Sequence, residues 1–308
     1  ALEQKGLKDK IKKTSDYCKV NIYNIFTFTY ALRSPDAKEG SILSVNNYGK
    51  IESTEVKNNF FGLVVGLWIP EYIPVDNLYE TIGFYPQTIK EDNVEIVKDL
   101  GNNCFLGDDN NKYMKKRCHY SHIFSTFTNG TNIKDGDYFF KVEPLKFKVI
   151  SENNGLMLLR CDNIIDEMKF SDDSNNYEKS SARSWLNNEF LNNFFTDEER
   201  ERIVALKVDN SSMSVLKKDN KYLCKDTLDK VFLLSETEAK RKEFFASEYI
   251  SLTDYAKGNG SNNILLRSPS DCNNQEVKYK DTSSPYSIYS GKIESSYGVI
   301  PVMWVKSK

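Results

Sequence analysis

Two stretches of this 308-residue chain carry the same pieces in the same order, and that repetition limits the folds available to it. Near the start stand Tyr30-Ala31-Leu32-Arg33-Ser34-Pro35, then Gly49-Lys50-Ile51-Glu52-Ser53, then Phe61-Gly62-Leu63-Val64-Val65-Gly66-Leu67-Trp68-Ile69. Near the end stand Ile264-Leu265-Leu266-Arg267-Ser268-Pro269, Gly291-Lys292-Ile293-Glu294-Ser295 and Tyr297-Gly298-Val299-Ile300-Pro301-Val302-Met303-Trp304-Val305. Ser15-Asp16-Tyr17-Cys18-Lys19 precedes the first copy as Thr253-Asp254-Tyr255-Ala256-Lys257 precedes the second. The separations are 234 positions for the Arg pair, 242 for the Gly pair and 236 for the Trp pair, so the copies differ by loop insertions. The reading is an array of unequal parts. Residues 1–70 are the C-terminal portion of a first repeat, residues 76–306 a complete second repeat, and the first is expected to be completed by residues before Ala1. The Pro-punctuated Ile69-Pro70-Glu71-Tyr72-Ile73-Pro74 joins them, since proline continues neither a helix nor a central strand.

Composition narrows the partners. A formal charge of −2 gives no electrostatic footprint for nucleic acid or an anionic membrane. Hydrophobic residues at 39% and aromatics at 13% suffice for a folded core. No apolar run reaches the ~20 residues of a spanning helix; the longest, Phe60 to Pro70, is broken by Gly62 and Gly66 and reads as a buried strand. Six cysteines without a Cys-x-x-Cys pair read as buried free thiols, one to three disulfides being the alternative.

The pattern of elements is mixed. A short helix is expected over Lys8 to Tyr17, an extended piece at Gly83 to Gln87, and an irregular polar stretch from Asp92 to Ser125 with a turn at Asp108-Asp109-Asn110-Asn111. Phe139 to Ile150 and Leu156 to Arg160 flank Asn154-Gly155, a hairpin signal. Leu186, Phe190 and Phe194 recur at helical spacing within Ser180 to Phe195. Thr196-Asp197-Glu198-Glu199 and Ser235-Glu236-Thr237-Glu238 are capping boxes, opening helices toward Leu206 and Phe245. A helical turn at Thr253 to Gly260, a strand at Ile264 to Ser268, a long Tyr-rich loop, a turn at Gly291 and a strand at Val299 to Val305 complete the chain. Strands and helices without βαβ alternation indicate α+β.

Seven segments together match a known pattern: Tyr85-Pro86-Gln87; Lys112-Tyr113-Met114 with Thr128-Asn129-Gly130; Phe140-Lys141-Val142-Glu143-Pro144-Leu145-Lys146-Phe147; Arg183-Ser184-Trp185-Leu186-Asn187; Lys230-Val231-Phe232-Leu233-Leu234-Ser235 with Glu238; Leu266-Arg267-Ser268-Pro269; and Gly298-Val299-Ile300-Pro301-Val302. Residues 83 to 305 resemble an uncharacterised bacterial domain family found in secreted or surface proteins. Ile300 stands where that family has Arg. The family in turn resembles the C-type-lectin-like superfamily, which includes the formylglycine-generating enzymes. The resemblance implies a C-type-lectin-like domain with an antiparallel sheet and flanking helices, located outside the cell or at its surface.

Each candidate site has a bland alternative. Asp271, Asn273, Asn274, Tyr279, Tyr286 and Tyr289 lie in the stretch unmatched between the copies. Tyr and Asn supply rigid amphipathic surface and adaptable hydrogen bonds suited to recognition, or else pack the loop onto the domain. Arg33 and Arg267 read as structural charges bonding backbone carbonyls or a carboxylate such as Glu52 or Glu294, because a buried Arg must be paired. Trp185 and Trp304 read as core. His119 and His122 beside Cys118, with Cys104 upstream, fit no usual zinc spacing. The Asp108 turn and Asp172-Asp173-Ser174-Asn175 offer oxygen ligands without EF-hand spacing. No metal site and no cofactor are expected, calcium or zinc being the alternative.

The function expected is non-enzymatic: an extracellular adhesion module in tandem array, binding a glycan or a host or cell-surface protein beside neighbouring repeat domains. A structural spacer and a formylglycine-generating-like or metal-dependent enzyme are the alternatives.

Overall fold

Asn154 and Gly155 both take positive φ, 51° and 73°, which a two-residue type I′ turn requires and which few side chains tolerate. They join the strands Gly136–Asn153 and Leu156–Cys161 as expected, and a sheet is built around that hairpin. The computed structural model describes residues 29–35, 41–45, 51–55, 61–62, 78–120, 123–245, 250–282 and 287–307. The chain divides into two units, Ala1–Ile69 and Pro70–Lys308. The expected helix over Lys8 to Tyr17, the connection at Ile69 to Pro74 and the strand beyond Gly62 lie outside the described residues.

Unit 1 contains β1 (Thr29–Pro35), β2 (Ser41–Val45), β3 (Ile51–Glu55) and β4 (Phe61–Gly62). Unit 2 begins with β5 (Tyr79–Ile89), β6 (Ile96–Gly101), β7 (Cys104–Gly107), β8 (Lys112–Cys118), β9 (Gly136–Asn153), β10 (Leu156–Cys161) and β11 (Asp166–Met168). It continues with β12 (Ile203–Val204), β13 (Leu206–Val208), β14 (Thr227–Asp229), β15 (Val231–Phe232), β16 (Asn263–Pro269), β17 (Glu276–Asp281), β18 (Ile288–Lys292), β19 (Tyr297–Val299) and β20 (Val302–Lys306). Strands dominate and the helices are short, an α+β composition.

Among the described residues of unit 2, a nine-stranded sheet runs β12-β20-β10-β9-β8-β7-β6, with β5 on β9 and β15 on β20. A five-stranded sheet runs β11-β19-β16-β17-β18, and β13 pairs with β14. The 92–125 stretch is therefore not irregular: it forms β6, β7 and β8. Every residue of β6 is at least partly exposed, so no face is buried and the alternation that would mark a strand is missing. The Asp108 turn is present, with Asn110 at φ 61°.

The capping boxes form as read. Thr196 accepts from the Glu199 N–H and Ser235 from the Glu238 N–H, while each Glu reaches back to the cap. The first helix stops at Arg202, because Ile203 turns extended to join β20 as β12. The second is two pieces, Glu236–Ala239 and Lys242–Phe245. The 180–195 segment starts as helix Ser181–Trp185, widens to a π-turn over Leu186–Phe190 and returns to helix at Leu191–Asn193. The wider turn stacks Trp185 on Phe190, five residues on, at 5.2 Å. The closing strand is also broken: β19 and β20 belong to different sheets, separated at Ile300-Pro301.

The two sheets containing the repeated Arg-Ser-Pro pieces share a topology. Unit 1 has the order β3-β2-β1-β4 with β1 and β4 parallel; unit 2 has β18-β17-β16-β19 with β16 and β19 parallel. Ala31 pairs with Ser44 as Leu265 pairs with Tyr279, and Pro35 with Ile42 as Pro269 with Val277, each after a register irregularity. Tyr30 faces Gly62 as Ile264 faces Gly298. One sequence match does not survive this register. Ile51-Glu52-Ser53 lies inside β3, whereas Gly291-Lys292 ends β18 and Ile293 onward forms the following turn. The two pentapeptides are not equivalent, and the 271–289 stretch is not an insertion; it is the hairpin β17–β18, counterpart of β2–β3.

The main core joins both sheets of unit 2, with Phe147, Leu159, Leu186, Phe190, Ile264, Val299, Val302 and Met303 all buried. Each such side chain contributes about 1.5–3 kcal/mol by leaving water. Trp185 and Trp304 pack against this core half-buried. A smaller cluster of Ile89, Cys118, Phe127, Ile133 and Phe140 seats β8.

Candidate functional site

The β17–β18 hairpin places Tyr279 and Tyr289 directly opposite each other, so their side chains share a face. Their ring centroids are 5.9 Å apart. Beneath them Tyr297, from β19, stacks on Tyr279 at 5.3 Å and 29° and donates its hydroxyl to the Lys292 carbonyl at 2.9 Å. Gly291 makes this possible: a Cβ there would lie 2.3 Å from the Tyr297 hydroxyl oxygen. Burial pushes the Tyr297 and Tyr279 phenols above their ordinary pKa. Tyr289 is 48% exposed at the edge of the sheet, an aromatic plane on a fixed support.

The remaining sequence candidates do not join this face. Asp271 accepts from Lys217 at 3.0 Å and Lys278 at 3.1 Å, and these two ammonium groups hold its carboxyl at about 2. Lys278 alternates with Tyr279 along β17, so Asp271 is tied to the opposite side of the strand. Asn273 spends its side-chain oxygen on the Gln275 N–H at 2.8 Å. Asn274 is exposed, and its carbonyl accepts from the Asn175 N–H at 2.9 Å. Buried Asn175, named from the sequence only as a candidate oxygen ligand, also donates its amide to the carbonyls of Asn273 and Glu276, fixing the turn. Tyr286 lies outside the described residues. Tyr297 was visible as part of the closing repeat, but its contact with Tyr279 depends on strand order.

Arg267 is 2% exposed and is paired, though not with Glu294, which is exposed. Its guanidinium grips both oxygens of Glu238, at 2.6 and 2.9 Å, and donates to the Leu233 and Asp209 carbonyls. The capping box brings Glu238 there, which no local spacing announces. Burial alone would raise the Glu238 carboxyl; the Arg267 charge and its hydrogen bonds outweigh it and lower the pKa. The pairing of Arg33 with Glu52 lies outside the described side chains.

A second polar cluster crosses between the sheets. Tyr85 donates to Asp166 at 2.5 Å, and Lys116 donates to the other Asp166 oxygen and to the Tyr255 carbonyl, both at 2.9 Å, with its ammonium 4.1 Å over the Tyr255 ring. Asp254, buried, accepts from the backbone of Ile89 and Thr128, from the Thr128 hydroxyl and from Lys257. The repeated Thr253-Asp254-Tyr255 motif thus joins the helical turn to β5 and β8. Arg183 and Asn187 have similar work: Arg183 binds Asp229 at 2.7 Å, and the Asn187 side chain bonds the backbone of Lys230 and Val231.

Groups considered for metal or thiol chemistry are engaged elsewhere. His119 faces Asp135 at 3.6 Å, His122 lies outside the described residues, and Cys118 is buried in the small core. Among the described residues no group of three or more His, Cys, Asp or Glu could hold a metal ion. Asp109 bonds Asn111 and Tyr113, bracing its turn, and Lys169 pairs with Asp172. Cys104, Cys118, Cys161, Cys224 and Cys272 are free thiols. Burial pushes Cys118 up to about 11 and Cys161 to about 12. Both stay protonated near neutrality, when only a thiolate attacks.

An α+β domain whose repeated residues brace its frame, with an aromatic face at one sheet edge, is the class these features define. A model of a family described as a domain of unknown function (DUF6273) matches residues 154–307, half of the chain, and the chain belongs to that family. No curated protein and no solved structure matches it. No helix among the described residues is long and apolar enough to cross a membrane.

Proposed function

We propose that unit 2 is a non-enzymatic binding module of a secreted or cell-surface protein, recognising a glycan or host protein through the Tyr279–Tyr289 face. One observation carries the reading. Ser44 and Glu52 form the cross-strand pair in unit 1 that Tyr279 and Tyr289 form in unit 2. The same backbone arrangement is built without aromatics there, so the frame does not demand them. An exposed tyrosine lying against a neighbouring ring that is itself stacked on Tyr297 suits a sugar ring or an apolar side chain, because little entropy remains to be lost on binding.

The C-type-lectin-like comparison and the tandem array belong to the same proposal, supported by the α+β composition and the matching strand orders. Glycan-array and pull-down binding by the full chain tests it. Tyr289→Ala is expected to abolish binding while leaving thermal stability within about 1 kcal/mol, the range of an exposed cross-strand pair. Binding that survives Tyr289→Ala, or no binding by the wild-type chain, defeats the reading and leaves a spacer role.

A further inference from the structure

Lys116 on β8 and Asp166 on β11 belong to different sheets and stand 50 residues apart in the chain. Their side chains nevertheless meet, Nζ to Oδ1 at 2.9 Å, with 13% and 15% exposure. The amine is fixed as well as close, since it also donates to the Tyr255 carbonyl and lies over the Tyr255 ring. Tyr85, packed among Trp185, Phe190, Phe194 and Tyr255, donates its hydroxyl to Asp166 Oδ2 at 2.5 Å. The Glu167 N–H donates to Oδ1 at 2.8 Å. Both carboxyl oxygens are thus polarised, as acyl-transfer sites polarise a carbonyl. Burial works against charge here: it raises the neighbouring Glu167 carboxyl and keeps the Tyr85 phenol protonated and able to donate. Other close lysine–carboxylate pairs differ. Asp271 is held ionised by hydrogen bonds from Lys217 and Lys278, and Lys257 meets Asp254 within one helical turn, where a link would join nothing.

We propose that Lys116 and Asp166 condense into an intramolecular amide that staples the two sheets of unit 2. The ammonium passes one proton to Asp166 Oδ1 along their hydrogen bond, leaving a neutral amine and a neutral carboxyl. The Nζ lone pair attacks Cγ, and negative charge develops on Oδ2 against the Tyr85 hydroxyl. Collapse breaks the Cγ–Oδ1 bond, and Oδ1 leaves as water with a second proton from the nitrogen. Ammonium and carboxylate become amide and water, with nothing oxidised or reduced and no co-reactant. Proximity supplies the drive that free amines and acids lack in water. The bond closes a long loop and restricts the unfolded chain as a disulfide does.

Intact mass of the folded full chain, read after denaturation, tests this directly and needs no substitution. The wild-type chain should be lighter than its sequence by one water, and a digest should contain one branched peptide joining Lys116 to Asp166. Lys116→Arg and Asp166→Ala should each keep the full sequence mass. Tyr85→Phe retains both reactants and should form the bond at least about 100-fold more slowly, the cost of one lost oxyanion donor. An unchanged rate would overturn the place given to Tyr85. A folded wild-type chain of full sequence mass, a water loss that persists in Lys116→Arg, or a branch at any other pair would each overturn the proposal.

Discussion

The β1–β4 sheet and the β16–β18 part of its counterpart, with β19, agree in strand order, in strand direction and in the place of their register irregularity, yet differ in the residues of their cross-strand pairs, one of which is aromatic in unit 2 alone. Ser44 and Glu52 in one are Tyr279 and Tyr289 in the other. What is common to both sheets is what the backbone requires: an apolar residue after the irregularity, a glycine against the parallel strand. What differs is free to serve something else. The aromatic pair is therefore a better guide to activity than the recurring Arg-Ser-Pro.

The largest effect should come from the shared frame. Arg267→Ala strands the Glu238 carboxylate and two carbonyls, and is expected to cost about 3–5 kcal/mol in denaturant unfolding of unit 2. The pair should also give an acid limb. The folded carboxyl of Glu238 lies below its ordinary 4.5, so its contribution is complete above that value and is lost as pH falls through the lower folded value. A stability profile with no acid loss that disappears in Arg267→Ala would contradict the pairing.

Gly298→Ala comes next, at about 1–3 kcal/mol, because its Cβ must displace Ile164 in a packed core. Thermal melting measures it, and an unchanged melting temperature would mean that Ile164 does not pack against Gly298. Tyr289→Glu, which gives the hairpin the residue of its counterpart, should change stability by less than about 1 kcal/mol while removing ligand binding. If stability falls much further, the pair is part of the frame after all. Smallest is the effect of a chelator: Asp271 is held by Lys217 and Lys278, so EDTA should leave binding unchanged. A chelator-sensitive interaction would show that another carboxylate set holds calcium.

Legibility followed locality and burial. The Asn154-Gly155 turn and both capping boxes were readable because each is settled within four residues. Strand β6 was unreadable because it is exposed on both sides. The β17–β18 hairpin was hidden by its own chemistry: Lys278, Lys280 and Ser290 share it with the tyrosines, and the six residues between its strands resemble a loop. The aligned Gly-Lys-Ile-Glu-Ser pentapeptides then made it look like an insertion. The tyrosines at 279 and 289 could be named, but their separation from Asp271 onto opposite faces required the register. Glu238 as partner of Arg267 is a contact across 29 residues, which no periodicity encodes.

The long strand β9 has a mechanical consequence. Tyr79, where β5 begins, pairs with Lys148 near one end of β9, and Lys306, where β20 ends, pairs with Leu156 just past that same end. Chain entry into the nine-stranded sheet and exit from it thus both lie toward the turn end of the β9–β10 hairpin. Tension applied through these two points would peel β5 from β9 and β20 from β10 one rung at a time, instead of loading all rungs at once. Under pull, unit 2 would open like a zip at modest force, making it a compliant link in any chain that carries load.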